Sequence, residues 1–354
     1  MGTILQTFPL GPQWPTIDPF LFVAHHRDAY PRGTAELGPD APLTGRTIGQ
    51  DFAGIDGWNM YHGATVPGFP QHPHRGFETI TYVRTGCCDH SDSLGATARF
   101  GRGDTQWMTA GAGVVHSEVF PLLDAQRPNP LELFQIWLNL PAADKLVDPY
   151  FTMLWSERTP TIAAGDANGA LVDITVIAGA PATTAGEDAV TPPAPPPNSW
   201  AARAEADVAI WHLRFDAGAT WTMPAASGPE TNRVLYAFSG SSIDVDGESV
   251  AAGNGAVIDP RHAVELTAGD AEVECIVLQG RPIGEPVAQY GPFVMNTEAE
   301  IRAAFDDYRR SQFGGWPWPS DAPHHGPTRG RFALHADGRL ETIDDAQPLS
   351  VPER

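Results

Sequence analysis

The chain has 354 residues, of which 42% are hydrophobic, and it contains 36 glycines and 34 prolines. This length accommodates two domains of ordinary size, and the abundance of glycine and proline favours turns over long helices. A formal net charge of −21 argues against direct nucleic-acid binding and against adsorption to anionic membranes, because both depend on basic surface.

The cysteines and the N-terminal stretch indicate a compartment. Three cysteines do not make a disulfide framework, and Cys87 and Cys88 are adjacent, so they cannot easily bridge each other. The opening residues show no basic region followed by an apolar core, and no run of eighteen apolar residues occurs anywhere. We therefore expect a protein of the reducing cytoplasm without a membrane span.

The first part of the chain reads as strands and turns. Residues 18–24 form an apolar strand candidate that leads into His25 and His26. Neighbouring residues on a strand point to opposite faces, so at most one of the two histidines could reach a given ion. Residues 36–67 alternate turn signals with short apolar runs, which predicts hairpins and loops.

The stretch from residue 68 to residue 118 carries the chemistry. His72 and His74 open it, and His116 and Glu118 close it, each pair at spacing i, i+2. On an extended strand this spacing places both side chains on one face, with Cα atoms about 7 Å apart. Neutral imidazoles and a carboxylate suit a divalent first-row metal, and open coordination positions could take water, substrate or dioxygen. The sequence therefore predicts one metal site here.

Other polar and apolar groups in this region have less specific interpretations. Cys87 and Cys88 show no sign of a lowered thiol pKa, and at least one of them is expected to be a buried small hydrophobe. His90 is not predicted as a further ligand. Trp107 and Met108 could line a pocket for a flat apolar substrate, although core packing explains Trp107 equally well.

The second half predicts another β domain. Residues 131–140 alternate polar and apolar positions and end at a proline, and an inter-domain crossing is expected to follow over 142–165. Further strand candidates lie at residues 170–177, 208–215, 234–238 and 272–278. Residues 189–198 are rich in proline and predict an exposed loop. This half contains no His-x-His pair, so one metal per chain is expected.

The clearest helix signal lies at residues 296–315. Thr297 and Glu300 form a capping box, and an apolar stripe follows at Ile301, Phe305 and Tyr308. Gly314 and Gly315 are expected to end the helix before a loop-rich tail.

At these motifs the sequence resembles the pirin family of the cupin superfamily. The matching stretches are residues 72–79, 90–95, 103–111, 116–118, 134–141 and 289–297. The resemblance implies an all-β fold of two tandem, jelly-roll-like cupin β-barrels followed by a C-terminal helix. It also implies that the first barrel holds iron through His72, His74, His116 and Glu118. The general cupin pattern places a glutamate at Glu78, whereas the pirin pattern uses Glu118. We expect Glu118 as the ligand and Glu78 as a hydrogen-bonding neighbour.

The resemblance also sets the expected domain boundaries. They are a metal-binding domain at 1–141, a crossing at 142–165, a metal-free domain at 166–295, and a helix with its tail at 296–354.

Two functions from different classes follow from the resemblance. The first is a dioxygenase that opens the ring of quercetin-type flavonols, with Fe(II) as the expected metal, a flavonol and dioxygen as substrates, and Glu118 as general base. The alternative is a non-enzymatic iron protein whose redox state controls binding to a transcription factor or a metabolic enzyme. Ligand types alone do not separate iron from nickel, copper or manganese, because cellular supply decides which metal is bound.

Overall fold

The computed structural model of the protein describes residues 2–165, 169–182 and 190–343. Residue 189 of the proline-rich run and residues 344–354 of the predicted tail therefore lie outside the described residues. No helix among the described residues is long and apolar enough to cross a membrane.

The structure is built mainly from strands, as predicted. The strands in the first part of the chain are β1 (Ile4–Pro9), β2 (Gln13–Trp14), β3 (Phe20–Asp28), β4 (Gly68–His74), β5 (Phe77–Thr85), β6 (Cys87–Asp92), β7 (Thr97–Gly101), β8 (Asp104–Thr109), β9 (Val114–Val119), β10 (Leu131–Asn139), β11 (Tyr150–Leu154) and β12 (Thr161–Gly165). The later strands are β13 (Leu171–Ala178), β14 (Ala209–Phe215), β15 (Thr220–Met223), β16 (Asn232–Gly240), β17 (Ser242–Val245), β18 (Glu248–Ala251), β19 (Asn254–Ile258), β20 (Val264–Ala268), β21 (Val273–Gly280), β22 (Ala288–Tyr290), β23 (Phe293–Met295), β24 (Phe332–Leu334) and β25 (Leu340–Thr342).

The helical part of the described chain is small. One α-helix, α1, spans Glu298–Ser311. The 3-10 helices are single turns at Ile55–Gly57, Ala142–Asp144, Ser156–Arg158, Trp200–Ala202, Ala204–Ala206 and Gln312–Gly314.

The described chain divides into two compact units. One, here called the histidine unit, contains residues 25–135, 142–153 and 285–343; the other, here called the apolar unit, contains residues 2–24, 136–141 and the described part of 154–284. The predicted domains are continuous stretches of the chain, whereas each observed unit combines several separate stretches. Two breaks between the observed units fall inside β3 and β10. The sequence does not show which stretches belong to which unit, because strand pairing over long sequence separations leaves no local signal.

The histidine unit contains two larger sheets, a hairpin and the helix. One sheet has the strand order β25-β24-β7-β6-β9-β4. In the other, β11, β8, β5, β10 and β3 are successive neighbours. Strands β22 and β23 form an antiparallel hairpin. The predicted strands at 18–24 and 131–140 are confirmed by β3 and β10.

The apolar unit contains a seven-stranded sheet of order β1-β19-β16-β21-β14-β13-β12 and a four-stranded sheet of order β15-β20-β17-β18. The four strands predicted in this half are confirmed by β13, β14, β16 and β21. Alternate residues of these strands pack into one hydrophobic cluster that includes Ile174, Trp211, Leu213, Leu235 and Val277. The interior of this unit is therefore filled by apolar side chains over most of its length.

The predicted helix is confirmed, with a different end. The Thr297 side chain accepts from the Glu300 backbone N–H and the Glu300 side chain accepts from the Thr297 backbone N–H, which completes the capping box. Ile301 is buried, and Phe305 and Tyr308 pack with it against Phe293. The helix ends at Ser311, before the two glycines, because Gln312 and Phe313 themselves adopt left-handed backbone angles.

Two predicted connections differ from expectation. Residues 36–67 contain turns, isolated bridges and one 3-10 turn in place of the expected hairpins. The crossing at 142–165 contains the strands β11 and β12, each of which adds to the edge of a sheet. The proline-rich run is irregular over its described residues 190–198, as predicted.

Candidate metal centre

The predicted ligand pairs lie on two neighbouring strands of the histidine unit. His72 and His74 end β4, while His116 and Glu118 lie in β9, and the two strands pair antiparallel with His72 opposite His116. Side chains of directly opposed residues share a face of the sheet. A register shift between Phe69 and His72 interrupts the ladder beside the histidines. The prediction that both pairs face one interior is therefore confirmed for the three histidines.

The three imidazoles form a tight cluster. The ligand-type atoms of His72, His74 and His116 all lie within 4.8 Å of one another. His72 Nε2 is 3.0 Å from His116 Nε2. Two nitrogens bound at right angles to one ion at about 2.1 Å would also be about 3.0 Å apart. This is the single cluster of metal-ligating type that the described residues contain.

Hydrogen bonds orient the rings for this role. His72 Nδ1 donates to the Pro70 carbonyl at 2.9 Å, so His72 Nε2 presents its lone pair to the cluster. His74 Nδ1 makes a longer contact of 3.4 Å with the Pro292 carbonyl. The opposite nitrogen of the third ring, His116 Nδ1, is buried and has no hydrogen-bond partner among the described residues. Metal-binding histidines are commonly oriented through the nitrogen that does not bind.

The electrostatic environment keeps the histidines neutral. Burial, helped by the charges of His62 and His90 and opposed by the hydrogen bond to Pro70, lowers the pKa of His72 to about 4. Burial and the other rings also hold the pKa values of His74 and His116 well below the usual range. Three neutral imidazoles with converging lone pairs are the donor set that a divalent first-row metal requires. The residues present therefore fit a metal ion.

Glu118 lies beside the cluster and is held from two sides. Its Oε1 accepts from the Thr81 hydroxyl at 3.0 Å, and its Oε2 accepts from the Gln135 amide at 2.6 Å. Glu118 Oε2 is 3.9 Å from His116 Nε2, outside the tight group of ligand atoms. Burial raises the pKa of the Glu118 carboxyl, while the charge of His90 and the two hydrogen bonds oppose that rise. Its role as a ligand stays a prediction.

Glu78 has a different environment. It is fully buried in β5, and its Oε1 accepts from the Thr109 hydroxyl at 2.6 Å. Because β5 and β8 pair without interruption from Glu78 to Val83, alternation places Glu78 on the opposite face of β5 from Thr81.

Sequence reasoning missed the contribution of β6. His90 stands opposite Glu118 and Asp92 stands opposite His116, so both belong to the face that carries the cluster. His90 Nε2 lies 3.2 Å from Asp92 Oδ2, and the His90 and His116 ring centroids are 5.4 Å apart. His90 is not part of the tight group of ligand atoms. The spacing His90-Ser-Asp92 was the available signal, since it repeats the i, i+2 pattern of the ligand pairs.

Gln106 is a second residue that sequence reasoning missed. It lies in β8 directly opposite Thr81, and Thr81 bonds Glu118, so the Gln106 side chain faces the same interior. The Gln106 Nε2 amino group is buried and has no hydrogen-bond partner among the described residues. A buried amide without an acceptor costs about 1–3 kcal/mol, so this group is poised to donate to a bound molecule.

The neighbouring apolar residues divide between the two faces. Trp107 is fully buried opposite Ile80, on the face away from Thr81. Its side chain therefore packs in the core. Met108 stands opposite Thr79 and shares the inner face. Of the two candidate pocket residues, only Met108 faces the cluster.

An aromatic group adjoins the partly exposed His72. The Phe69 ring centroid is 6.3 Å from that of His72, and the Tyr61 ring stacks on Phe69 at 5.1 Å. The rings of His26 and Phe120 also pack against Phe69. His26 reaches this interior, whereas His25 bonds Glu132, which confirms that the adjacent histidines face opposite ways.

The cysteines do not act as exposed thiols. Cys87 and Cys88 are buried and unpaired with each other. Burial raises the pKa of the Cys87 thiol to about 12 and that of Cys88 well above its usual value. Both groups therefore behave as small apolar side chains at neutral pH.

A buried cation fixes the turn that follows the first histidine pair. Lys145 is 1% exposed, and its Nζ donates to the Gly76 carbonyl at 2.8 Å and to the Val294 carbonyl at 3.2 Å. Arg75, next in the chain to His74, donates from Nε to the Ala112 carbonyl at 2.6 Å. These bonds hold the ends of the histidine strands together from outside the cluster.

Lys145 gives a pH-dependent prediction. Burial lowers its pKa to about 8, so between pH 8 and the usual lysine pKa of about 10.5 the unfolded chain binds more protons than the folded chain. The free energy of unfolding, relative to a Lys145→Met variant, should therefore rise by about 2 kcal/mol between pH 7 and pH 10. Urea unfolding of both proteins across this range measures the difference. A difference that is flat with pH would show that Lys145 titrates normally.

The fold and this cluster together define an all-β protein of two cupin barrels, one of which carries a candidate metal centre. Residues 5–138 match the Pirin family and residues 210–314 match the Pirin C-terminal cupin domain. The chain belongs to the pirin family, which confirms the resemblance and the predicted fold class.

Individual proteins agree with this assignment. The chain is 37% identical to a pirin-like protein of Caulobacter vibrioides over 70% of this chain and 80% of the relative. It is 34% identical to a protein of Pseudomonas aeruginosa that carries the provisional name quercetin 2,3-dioxygenase, over 70% of this chain and 79% of the relative. The solved structure of a quercetin 2,3-dioxygenase from Acinetobacter baumannii has the same fold, with a TM-score of 0.66 and 24% identity over 88% of this chain and 98% of that one.

Proposed function

We propose that this protein is a metal-dependent dioxygenase that opens the ring of quercetin-type flavonols, with Fe(II) as its metal. The observation that carries the proposal is the cluster of three neutral imidazoles within 4.8 Å, one of them partly exposed, inside a cupin barrel. The name of the Pseudomonas aeruginosa relative supports the substrate class.

In this proposal His72, His74, His116 and Glu118 hold the ion. A divalent ion held there would supply Lewis-acid chemistry toward the oxygens of the substrate. The three imidazoles are held neutral by burial. Glu118 Oε2 lies 3.9 Å from His116 Nε2, so the carboxylate needs to move only slightly to join them as a ligand.

Glu118 also acts as the general base. Its carboxylate, once it loosens from the ion, takes the proton of the flavonol 3-hydroxyl, and burial, which raises the pKa of the free carboxyl, favours that transfer. Thr81 and Gln135 hold the carboxylate in place through one hydrogen bond to each oxygen. Gln106 donates its buried amide N–H to an oxygen of the bound substrate.

The aromatic group at Phe69 positions the flat substrate. Phe69, Tyr61 and His26 pack against one another beside His72, on the side where the cluster is partly exposed. Aromatic rings offer stacking surface to a flavonol and displace water from the reacting carbon atoms.

Oxygen consumption with quercetin tests the proposal. Protein loaded with Fe(II) should consume oxygen and release a ring-opened product only when quercetin is present. A His74→Ala variant should lose both metal and turnover. A His324→Ala variant, changed at an exposed histidine outside the cluster, should keep both. Metal content is measured on every sample.

The result that contradicts the enzyme is a fully metallated protein that consumes no oxygen with quercetin or related flavonols. That result would favour the regulatory alternative, in which the metal's oxidation state controls binding to a protein partner. A pull-down with oxidised and reduced protein would measure that dependence.

A further inference from the structure

Strand β4 carries an irregularity that determines which face of the sheet its histidines occupy. Phe69 stands opposite Glu118. Three residues later, His72 stands opposite His116, which is only two residues from Glu118 along β9. On a regular strand, residues three apart point to opposite faces, so the extra residue in β4 places Phe69 on the same face as His72 and His74. A regular β4 that kept Phe69 in place would turn both histidines to the other face.

The backbone groups at this irregularity bond outside the pairing with β9. Pro70 has no N–H, and its carbonyl accepts from His72 Nδ1 at 2.9 Å, which orients the imidazole. The Gln71 backbone N–H donates to the Asp321 carbonyl at 2.7 Å, and the Gln71 side-chain amide donates to Asp321 Oδ1 at 2.6 Å. A backbone N–H that an extra residue removes from the ladder needs another acceptor. Asp321 therefore stabilises the irregularity on which the direction of His72 depends.

Asp321 belongs to a short segment that connects two strands of this sheet. Residues 316–322, here called the clip, follow α1 and the 3-10 turn at its end. Near the start of the clip, the Trp318 indole N–H donates to the Asp92 carbonyl at 2.8 Å. Asp92 lies on β6 directly opposite His116, and β6 and β4 flank β9 in the sheet. The clip therefore ties together the two strands on either side of the one that carries His116.

The clip has a fixed shape and lies on the outer face of the sheet. The Trp316 indole N–H donates to the Ser320 carbonyl at 2.8 Å, and the Ser320 hydroxyl accepts from the Ala322 N–H at 3.2 Å. Ala322 packs against an apolar cluster that includes Val119. Val119 follows Glu118 in β9 and so points to the opposite face. The clip therefore acts on the histidines from outside, through the backbone of their strands.

His72 is the member of the histidine cluster that most needs this support. It is partly exposed, whereas His74 and His116 are buried. A metal ligand that water can reach is the first to be displaced. Groups that orient a metal ligand typically change metal affinity by about 10–100-fold when they are removed. The clip acts one peptide away from His72, so an effect at the lower end of this range is expected.

We propose that the clip fixes His72 in the histidine cluster and thereby slows the loss of the metal, with Asp321 as its positioning residue. Asp321 acts through Gln71 and the Pro70 carbonyl, and it touches neither the metal nor the substrate. The proposal rests on the metal centre of the proposed function but on none of its reaction steps. Metal retention is therefore the quantity to measure.

The rate at which Co(II) passes to an excess of chelator measures retention without any substrate. Co(II) is the probe because its visible absorption depends on its ligands. A variant with both Trp318→Phe and Asp321→Ala removes the side-chain bonds at the two ends of the clip, and it should release Co(II) about tenfold faster than the wild type. Asp321→Ala alone should have a smaller effect, since the Asp321 carbonyl still accepts from Gln71. Asp321→Asn keeps the side-chain oxygen and should restore the slow rate.

A matched control and a folding check separate retention from general stability. Asp337→Ala removes an exposed aspartate of the same unit, whose Oδ1 accepts from the Arg339 backbone N–H at 2.9 Å, and it should leave the release of Co(II) unchanged. The thermal midpoints of the metal-free proteins should agree within about 3 °C, because exposed hydrogen bonds contribute little to stability. In the Zn(II)-loaded double variant, NMR should show faster solvent exchange of the His72 Nδ1 proton, because its acceptor at Pro70 is less firmly held.

The outcomes distinguish this proposal from the proposed function. A wild-type protein that holds Co(II) no better than His74→Ala would remove the metal centre and the role of the clip together. Slow release from the wild type and from the double variant alike would overturn the clip and leave the metal centre in place. An unchanged exchange rate of the His72 Nδ1 proton would also overturn the clip. So would equal acceleration by Asp337→Ala, because the effect would then be one of general stability.

Discussion

Replacing Glu118 with glutamine is expected to lower quercetin-dependent oxygen consumption by about 10²–10⁴-fold while most of the metal is retained. The three imidazoles that hold the ion are unchanged, and the glutamine carbonyl can still reach it. The amide cannot accept the 3-hydroxyl proton, so the step that needs a base is lost. Turnover and metal content are measured on the same Fe(II)-loaded sample.

Glu78→Gln is the matched control for this change. Glu78 is also a buried glutamate of the same unit, but it bonds Thr109 and lies on the other face of β5. The control should keep turnover close to that of the wild type. A Glu118→Gln protein with full metal content and full turnover would show that Glu118 is not the base. Loss of activity in both variants would indicate a structural cause.

The histidine cluster could be predicted from sequence because its geometry is local. Two residues at spacing i, i+2 share a strand face whatever the rest of the chain does, so His72 with His74 defined half of the site. The pairing of His72 with His116 then confirmed the arrangement.

The positions of the groups around the cluster could not be predicted, because they depend on the pairing of strands that are distant in sequence. Thr81 and Gln135 reach Glu118 from β5 and β10, and Gln106 enters the interior only because β8 pairs with β5. The same limit applies to β1, which pairs with β19 across some 250 residues of sequence, from Ile4 to Ile258. Local pattern predicted strands such as β3, β10, β13 and β21, but it did not predict which strands pair with them.

Replacing Arg99 with methionine is expected to destabilise the protein by about 3–5 kcal/mol, because it leaves Asp89 as an uncompensated buried carboxylate. Arg99 is fully buried in β7 and binds Asp89 through Nε and Nη2 at 2.6 and 2.7 Å. It also donates to the carbonyls of His325, Gly326 and Arg329 in the segment that follows α1. Urea unfolding measures the loss.

An exposed pair provides the comparison for Arg99. Arg127 bonds Asp124 with a side chain that is 57% exposed, so Arg127→Met should cost less than about 1 kcal/mol. Adding Asp89→Leu to Arg99→Met should recover part of the stability, because no buried charge then remains unpaired. An Arg99→Met protein as stable as the Arg127→Met protein would contradict the argument.

The Arg99–Asp89 pair also connects the segment after α1 with the candidate metal centre. Asp89 is the neighbour of His90 in β6, so the outer face of this strand binds the segment while its inner face stands opposite Glu118. Hydrogen exchange should therefore increase in the segment 325–334 of the Arg99→Met protein and also along β6. If exchange rises in the segment alone, β6 is held by its ladder bonds to β7 and β9, and the segment only covers it.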